Sequence, residues 1–189
     1  MLDRQLAGKI GELHVFNELL KKGLAPYVPL VDDGVDAIVR FADGRTLDLQ
    51  IKYSGGAGGK HPGWFQVDKI APAKRHFILA VEARNGEPGD VWVLPSAVFD
   101  AYATRPSKGS PRDLDLDGGT REYGMELREL LRGFKNRWEL IVDHGKYEAL
   151  MDSVEDLEDA LTMIESQEAP SDEIITLEDY EHHRGTVPR

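Results

Sequence analysis

Asp36, Gln50 and Lys52 bring an acid, an amide and an amine onto two short segments that alternate apolar and polar residues. Left in solvent, such a set is an ordinary polar strand face. Covered by other elements, it needs hydrogen-bond partners or a metal ion. Whether the three meet depends on how residues 35–41 pair with residues 46–53. A two-residue turn at Asp43-Gly44 would oppose Val39 to Asp48 and Ala37 to Gln50, mixing apolar with polar throughout. A three-residue loop, Ala42-Asp43-Gly44, with Gly44 in the left-handed position of a bulge, changes the parity. Val39 then opposes Leu47, Ala37 opposes Leu49, and Val35 opposes Ile51. Opposed residues share a face, so one face becomes fully apolar, as register rules favour. The other carries Asp36 opposite Gln50, with Lys52 two residues on.

The flanking elements follow from periodicity. Residues 3–22 read as a helix whose apolar stripe is Leu6, Ile10, Leu13, Phe16, Leu20 and Leu24. Lys21 and Lys22 suit its last turn, and Gly23 suits its stop. Pro26 and Pro29 confine residues 25–30 to an edge strand. Residues 54–63 form a glycine loop. It is not a phosphate-binding P-loop, because the Gly-to-Lys spacing is wrong and His61 stands where Ser or Thr is needed. Residues 64–67 suit a short strand. Residues 76–83 and 90–94 suit buried strands around an Asn85-Gly86 turn. Pro95 opens a helix to about residue 103, residues 105–120 read as loop, and residues 122–142 read as a second long helix. This order predicts an α/β fold in which a mixed sheet is flanked by helices around one core, over residues 1–145.

Composition narrows the function classes. The chain has 189 residues and no cysteine, which excludes a disulfide scaffold, a Cys-ligated zinc site and a thiol nucleophile. No apolar run reaches the roughly 18–20 residues of a membrane helix. The start lacks the apolar core of a signal peptide, so the expected location is cytoplasmic with no membrane partner. The net charge is -11. Residues 151–189 hold 12 acids and 2 bases, a net of -10, so the first 150 residues are nearly balanced. This argues against a non-specific nucleic-acid coat, while leaving room for a local basic surface.

Gly11-Glu12 on the first helix, Val35-Asp36 at a strand start and Gln50-Ile51-Lys52 at the end of the hairpin together resemble the PD-(D/E)xK nuclease superfamily. That superfamily includes many restriction endonucleases and the Holliday-junction resolvases. Residues 90–95 and 134–138 also resemble its downstream segments, so the resemblance spans about residues 1–142. Val35 replaces the motif's Pro, and Gln50 replaces an acid, which removes one negative charge from the metal site. The resemblance implies a restriction-endonuclease-like fold and hydrolysis of phosphodiester bonds, with DNA favoured over RNA. It implies Mg2+ or Mn2+, for which oxygen ligands are suited. Asp36 would be the direct carboxylate ligand, joined by the Gln50 side-chain oxygen and the Ile51 carbonyl. Glu12 would hold metal-bound water, and Lys52 would orient the attacking water and stabilise developing charge. It also implies a homodimer, since many such nucleases pair to cut both strands. Each residue has a plainer reading: Glu12 as a surface acid, Asp36 as turn chemistry after Asp33-Gly34, Lys52 as an exposed strand end.

Phosphate contacts would come from Lys60 and His61 in the glycine loop and from Lys69, Lys74 and Arg75. Arg128, Arg132 and Lys135 would join them, spaced i, i+4 and i+7 on one helical face. Residues 146–189 form an acidic amphipathic extension. Tyr147, Leu150, Val154, Leu157, Leu161 and Ile164 make a seam under three heptads long. This extension weakly resembles the toxin-binding segments of type II antitoxins. It suggests a protein partner, or competition with nucleic acid for a basic surface. The competing functional reading is therefore a nuclease-fold binding protein, catalytically weak or inactive, that acts through this tail.

Overall fold

The first helix carries apolar residues on two opposite sides, and only one of them meets the sheet. In the structure, a computed structural model, α1 spans Arg4–Lys21. Residues 4–31, 34–55, 61–68, 70–104, 110–118, 126–153 and 155 are described. The buried side of α1 is Gly11, Val15 and Leu19. The stripe expected to be buried faces the other way: Leu6, Leu13 and Leu20 are 55%, 58% and 59% exposed. Periodicity located the larger stripe, whereas close approach to the sheet buries the slimmer side opposite it. Gly11 lies on Tyr53, where an added Cβ would stand 2.6 Å from the Tyr53 Cβ. We expect Gly11→Ala to push α1 off the sheet and cost about 1–3 kcal/mol. Urea denaturation would read it, and an unchanged midpoint would refute that packing. The helix ends as anticipated: Gly23 takes φ +77° and the Leu24 N–H donates to the Leu19 carbonyl at 3.0 Å.

A short strand, β1 (Pro26–Tyr27), leads to β2 (Ala37–Arg40) and β3 (Thr46–Ser54). Their hairpin has the odd-numbered connection. Val39 pairs with Leu47 and Ala37 with Leu49, while Gly44 sits at φ +87°. Next come β4 (Trp64–Val67), β5 (His76–Arg84) and β6 (Glu87–Pro95), then helix α2 (Ser96–Tyr102). Five strands form one mixed sheet in the order β1-β2-β3-β5-β6, with β3 and β5 parallel and the other pairs antiparallel. One face holds Leu47, Leu49, Phe77, Leu79, Val91 and Val93, over which α1 lays Val15 and Leu19. The other holds Ile78, Ala80, Trp92 and Leu94 in a cluster with Phe65, Phe99, Leu114 and Leu127. The fold is thus α/β, with a mixed sheet flanked by helices.

Two expectations fail in the second half. Residues 105–120, read as loop, include β7 (Arg112–Asp115), which pairs antiparallel with β4 in a separate two-stranded ribbon. Its alternation, Arg-Asp-Leu-Asp, offers a single apolar residue, too little to show a period. Nor are residues 122–142 one helix. Helix α3 (Leu127–Leu130), a 3-10 turn (Arg132–Phe134) and helix α4 (Glu139–Val142) replace it, separated by Asn136 at φ +53°. The break serves β6, an edge strand. Asn136 donates its N–H to the Val91 carbonyl at 2.7 Å and accepts the Val91 N–H on its side-chain oxygen at 2.8 Å. Backbone groups that an edge would leave open are thereby paired. The chain divides into two compact units, Met1–His144 and Gly145–Arg189. Residues 144–153 are helical. Val154 and the remainder of the acidic seam, from Leu157 on, lie outside the described residues.

Candidate active site

The parity of β3 explains the first contact of the site. Asp48 donates its N–H toward the β5 side, to the Arg75 carbonyl, at 2.9 Å. The N–H groups of Leu49 and Ile51 therefore point toward β2. Pairing with β2 ends at Ala37, one residue after Asp36, so Ile51 has no strand opposite it. The Asp36 side chain fills that place: its Oδ2 accepts the Ile51 N–H at 2.6 Å, while the Asp36 N–H donates to the Leu49 carbonyl at 2.9 Å. A charge-assisted bond of this length anchors the carboxylate against the middle of the Gln50-Ile51-Lys52 triplet.

Gln50 lies beside it. The residue is 4% exposed, and among the described residues its Oε1 is buried without a hydrogen-bond partner. Its amide packs under Gly34, where an added Cβ would be 3.5 Å from Nε2. Gly34 also holds φ +99°, a conformation that favours glycine. The Asp33-Gly34 pair was its only sequence signal. Register keeps Lys52 on the face of Gln50, opposite Ala80, and half-buried. Glu12 stands on α1 next to Gly11, and its carboxylate is hydrogen-bonded by the Lys9 ammonium one turn earlier. That bond, together with the Glu12 and Asp36 charges, raises the pKa of Lys9.

Among the described residues no three His, Asp or Glu side chains converge on a metal position. A magnesium-type ion tolerates that, since it keeps several waters and needs one or two carboxylates. The donor set here fits: a fixed carboxylate, a buried amide oxygen that lacks a partner, and a main-chain carbonyl at Ile51. An orphaned buried oxygen is costly, about 1–3 kcal/mol, unless something occupies it.

The bases expected to meet phosphate are dispersed. Lys60 and Lys69 lie outside the described residues. Lys74 and Arg75 are exposed just before β5, at the Asp48 end of β3 rather than the Lys52 end. His61 is bound to Asp115 at 2.9 Å and lies 3.5 Å from Asp117. The shared helical face of Arg128, Arg132 and Lys135 does not exist, because the helix is broken. Arg128 is held by two carboxylates, bidentately by Glu82 at 2.9 Å and through Nε by Asp117 at 2.6 Å. Lys135 pairs with Asp90 at 2.9 Å, and Arg132, 77% exposed, reaches Glu129 at 3.4 Å. Arg128 and Lys135 both lie over the Trp92 ring, at 5.6 and 5.9 Å.

These pairs set the response to acid. Burial raises the pKa of Glu82, but hydrogen bonds from Arg128 and Trp92 outweigh it and hold the carboxyl below its usual range. Arg128 lowers Asp117 likewise. For Asp90, burial is outweighed by Lys135 and Asn136. A carboxylate with a depressed folded pKa lends stability that is fully present above its unfolded value and lost as pH falls through the folded one. We therefore expect thermal stability to hold down to about pH 4 and to fall steeply below it. A melting temperature unchanged between pH 5 and pH 2 would contradict these pairings.

No helix among the described residues is long and apolar enough to cross a membrane. No family model matches the chain, and no curated protein matches it. Among solved structures, a bacterial homing endonuclease is similar at a TM-score of 0.52 and 23% identity, over 80% of this chain and 99% of that one. The chain thus has a nuclease-like fold, similar to that endonuclease over nearly all of the latter's length.

Proposed function

We propose that the chain is a divalent-metal-dependent nuclease of the PD-(D/E)xK type that hydrolyses phosphodiester bonds in DNA. The observation that carries the proposal is the pairing of a carboxylate locked onto the Ile51 N–H with an unpartnered, buried Gln50 oxygen one residue away. Mg2+ or Mn2+ bound there would act as a Lewis acid toward the phosphate and lower the pKa of a coordinated water. Asp36 would anchor the ion, with Gln50 and the Ile51 carbonyl completing the protein's share. Glu12, steadied by Lys9, would hold a water from the helix side. Lys52 would position the nucleophilic water and stabilise charge on the phosphate oxygens. Similarity to a homing endonuclease supports DNA as substrate.

One observation favours the alternative, a binding protein that keeps this fold: Asp36 already serves the backbone as a cap, a purely structural use. The same assay decides between them. Plasmid and branched DNA are incubated with Mg2+ or Mn2+, and metal binding is followed by calorimetry. Nicking that needs the metal supports the nuclease. Absence of both cleavage and metal binding rejects it.

A further inference from the structure

The connection that leaves β1 is apolar and is anchored at the candidate site. β1 runs antiparallel to β2 with Tyr27 opposite Ile38, so the chain leaves it toward the Ala37 and Asp36 end of β2. It returns at Gly34, which lies over the Gln50 amide. Both ends are thereby fixed close to Asp36, Gly34 two residues before it and Ile38 two residues after it. Between them, Leu30 is 101% exposed, and Val28 and Val31 are 65% and 72% exposed. Leu30 is four residues from Gly34, so their Cα atoms are at most about 14 Å apart. At about 3.4 Å per base step, that reach covers only a few steps of a duplex. Residues 24–31 hold no charged side chain, so this tip has nothing with which to grip a phosphate. What it fits is the apolar interior of the base stack. Pro26 and Pro29 restrict its backbone and so lower the ordering cost of binding. Three of the bases expected to hold phosphates, His61, Arg128 and Lys135, are bound by carboxylates instead, which raises the weight of an apolar contact.

We propose that Leu30 is a wedge that enters duplex DNA at a base step beside the bond being cut, unstacking it and bending the DNA over the Asp36 site. This rests on the nuclease reading and adds to it the way the duplex is gripped. Apolar side chains that part a base step kink the helix there, and the stacking lost counts against binding, so DNA already opened at the step binds better. The test compares the full chain with Leu30→Ser, a change at a fully exposed position that should leave the urea midpoint unchanged. Fluorescence anisotropy reads affinity for a labelled duplex and for the same duplex carrying a bulged nucleotide, with Ca2+ in place of Mg2+ to hold back cleavage. Wild type should prefer the bulged duplex. Leu30→Ser should bind the intact duplex about 10–100-fold more weakly, as expected when a leucine's apolar contact is lost, and should bind both duplexes alike. Leu30→Phe should keep the preference. Equal affinities of wild type and Leu30→Ser for both duplexes would overturn the wedge, whether the tip then meets a second copy, another protein or nothing, while metal-dependent nicking of plasmid would leave the nuclease reading standing. Failure of wild type to bind either duplex would overturn it as well. A preference for the bulged duplex lost in Leu30→Ser, without any nicking, would keep the wedge and remove the nuclease.

Discussion

Asp36→Asn should reduce metal-dependent cleavage by about a thousandfold or more, with little change in folding stability. The two readouts separate because the residue has two tasks. As a cap, Asp36 accepts the Ile51 N–H, and an asparagine carbonyl oxygen can still do so. As a cation anchor it supplies negative charge, which the amide lacks. Gln50 offers no compensation, being neutral already. Asp36→Ala would confuse the tasks, since it also leaves a backbone donor unpaired at about 1–3 kcal/mol. Lys52→Ala should lower the rate by about 10²–10³, the size seen when one group stabilising transition-state charge is removed. Lys52→Arg should not restore it, because a planar fork does not replace a compact ammonium. Gln50→Glu should bind the metal more tightly, and should destabilise the metal-free protein by adding an unpaired charge at a 4% exposed position. Plasmid nicking, calorimetry and urea melts on the four variants make the comparison. Equal cleavage by wild type and Asp36→Asn would end the assignment.

How far this site is legible in a bare sequence depends on the range of each interaction. The β2–β3 hairpin is local: apolar alternation and one glycine suffice to choose an odd loop, and the pairing of Ala37 with Leu49 follows. That register brings Asp36 beside the Gln50 triplet. The Asp36 cap on Ile51 is harder, because it exists only where β2 stops one residue too early to pair. The buried face of α1 is harder still. A wheel shows two apolar stripes, and the choice rests on Tyr53 waiting under Gly11, 42 positions later. Arg128 is the extreme case. Its partners Glu82 and Asp117 stand on two separate segments, brought to it by β5 and by the turn after β7. Nothing within a helical period could distinguish this arginine from a solvated one, and the supposed helix placing it beside Arg132 gives way to the edge of β6.

Arg128→Met is expected to cost about 2–3 kcal/mol, somewhat below the about 3–5 kcal/mol of breaking a fully buried pair. The discount reflects exposure: the Arg128 side chain is 28% exposed and Asp117 43%, against 16% for Glu82. Four hydrogen bonds go at once, two to each carboxylate, along with a cation–π contact to Trp92. Glu82 suffers most, because it keeps the Trp92 indole N–H at 3.1 Å but loses its counter-charge. For a domain of this size the melting temperature should fall by roughly 5–10 °C. Arg128→Lys should recover little, since one ammonium cannot span Glu82 bidentately and still reach Asp117. The space is also tight, because a Cβ at Gly63 would come within 2.7 Å of Asp117 and 2.8 Å of Arg128. Adding Glu82→Gln to Arg128→Met should win back part of the loss, because the stranded charge goes with it. Urea denaturation of the three variants tests this. A loss under about 0.5 kcal/mol would place Arg128 among ordinary surface pairs, whose double-mutant energies are that small, and return it to the pool of bases free to meet a phosphate.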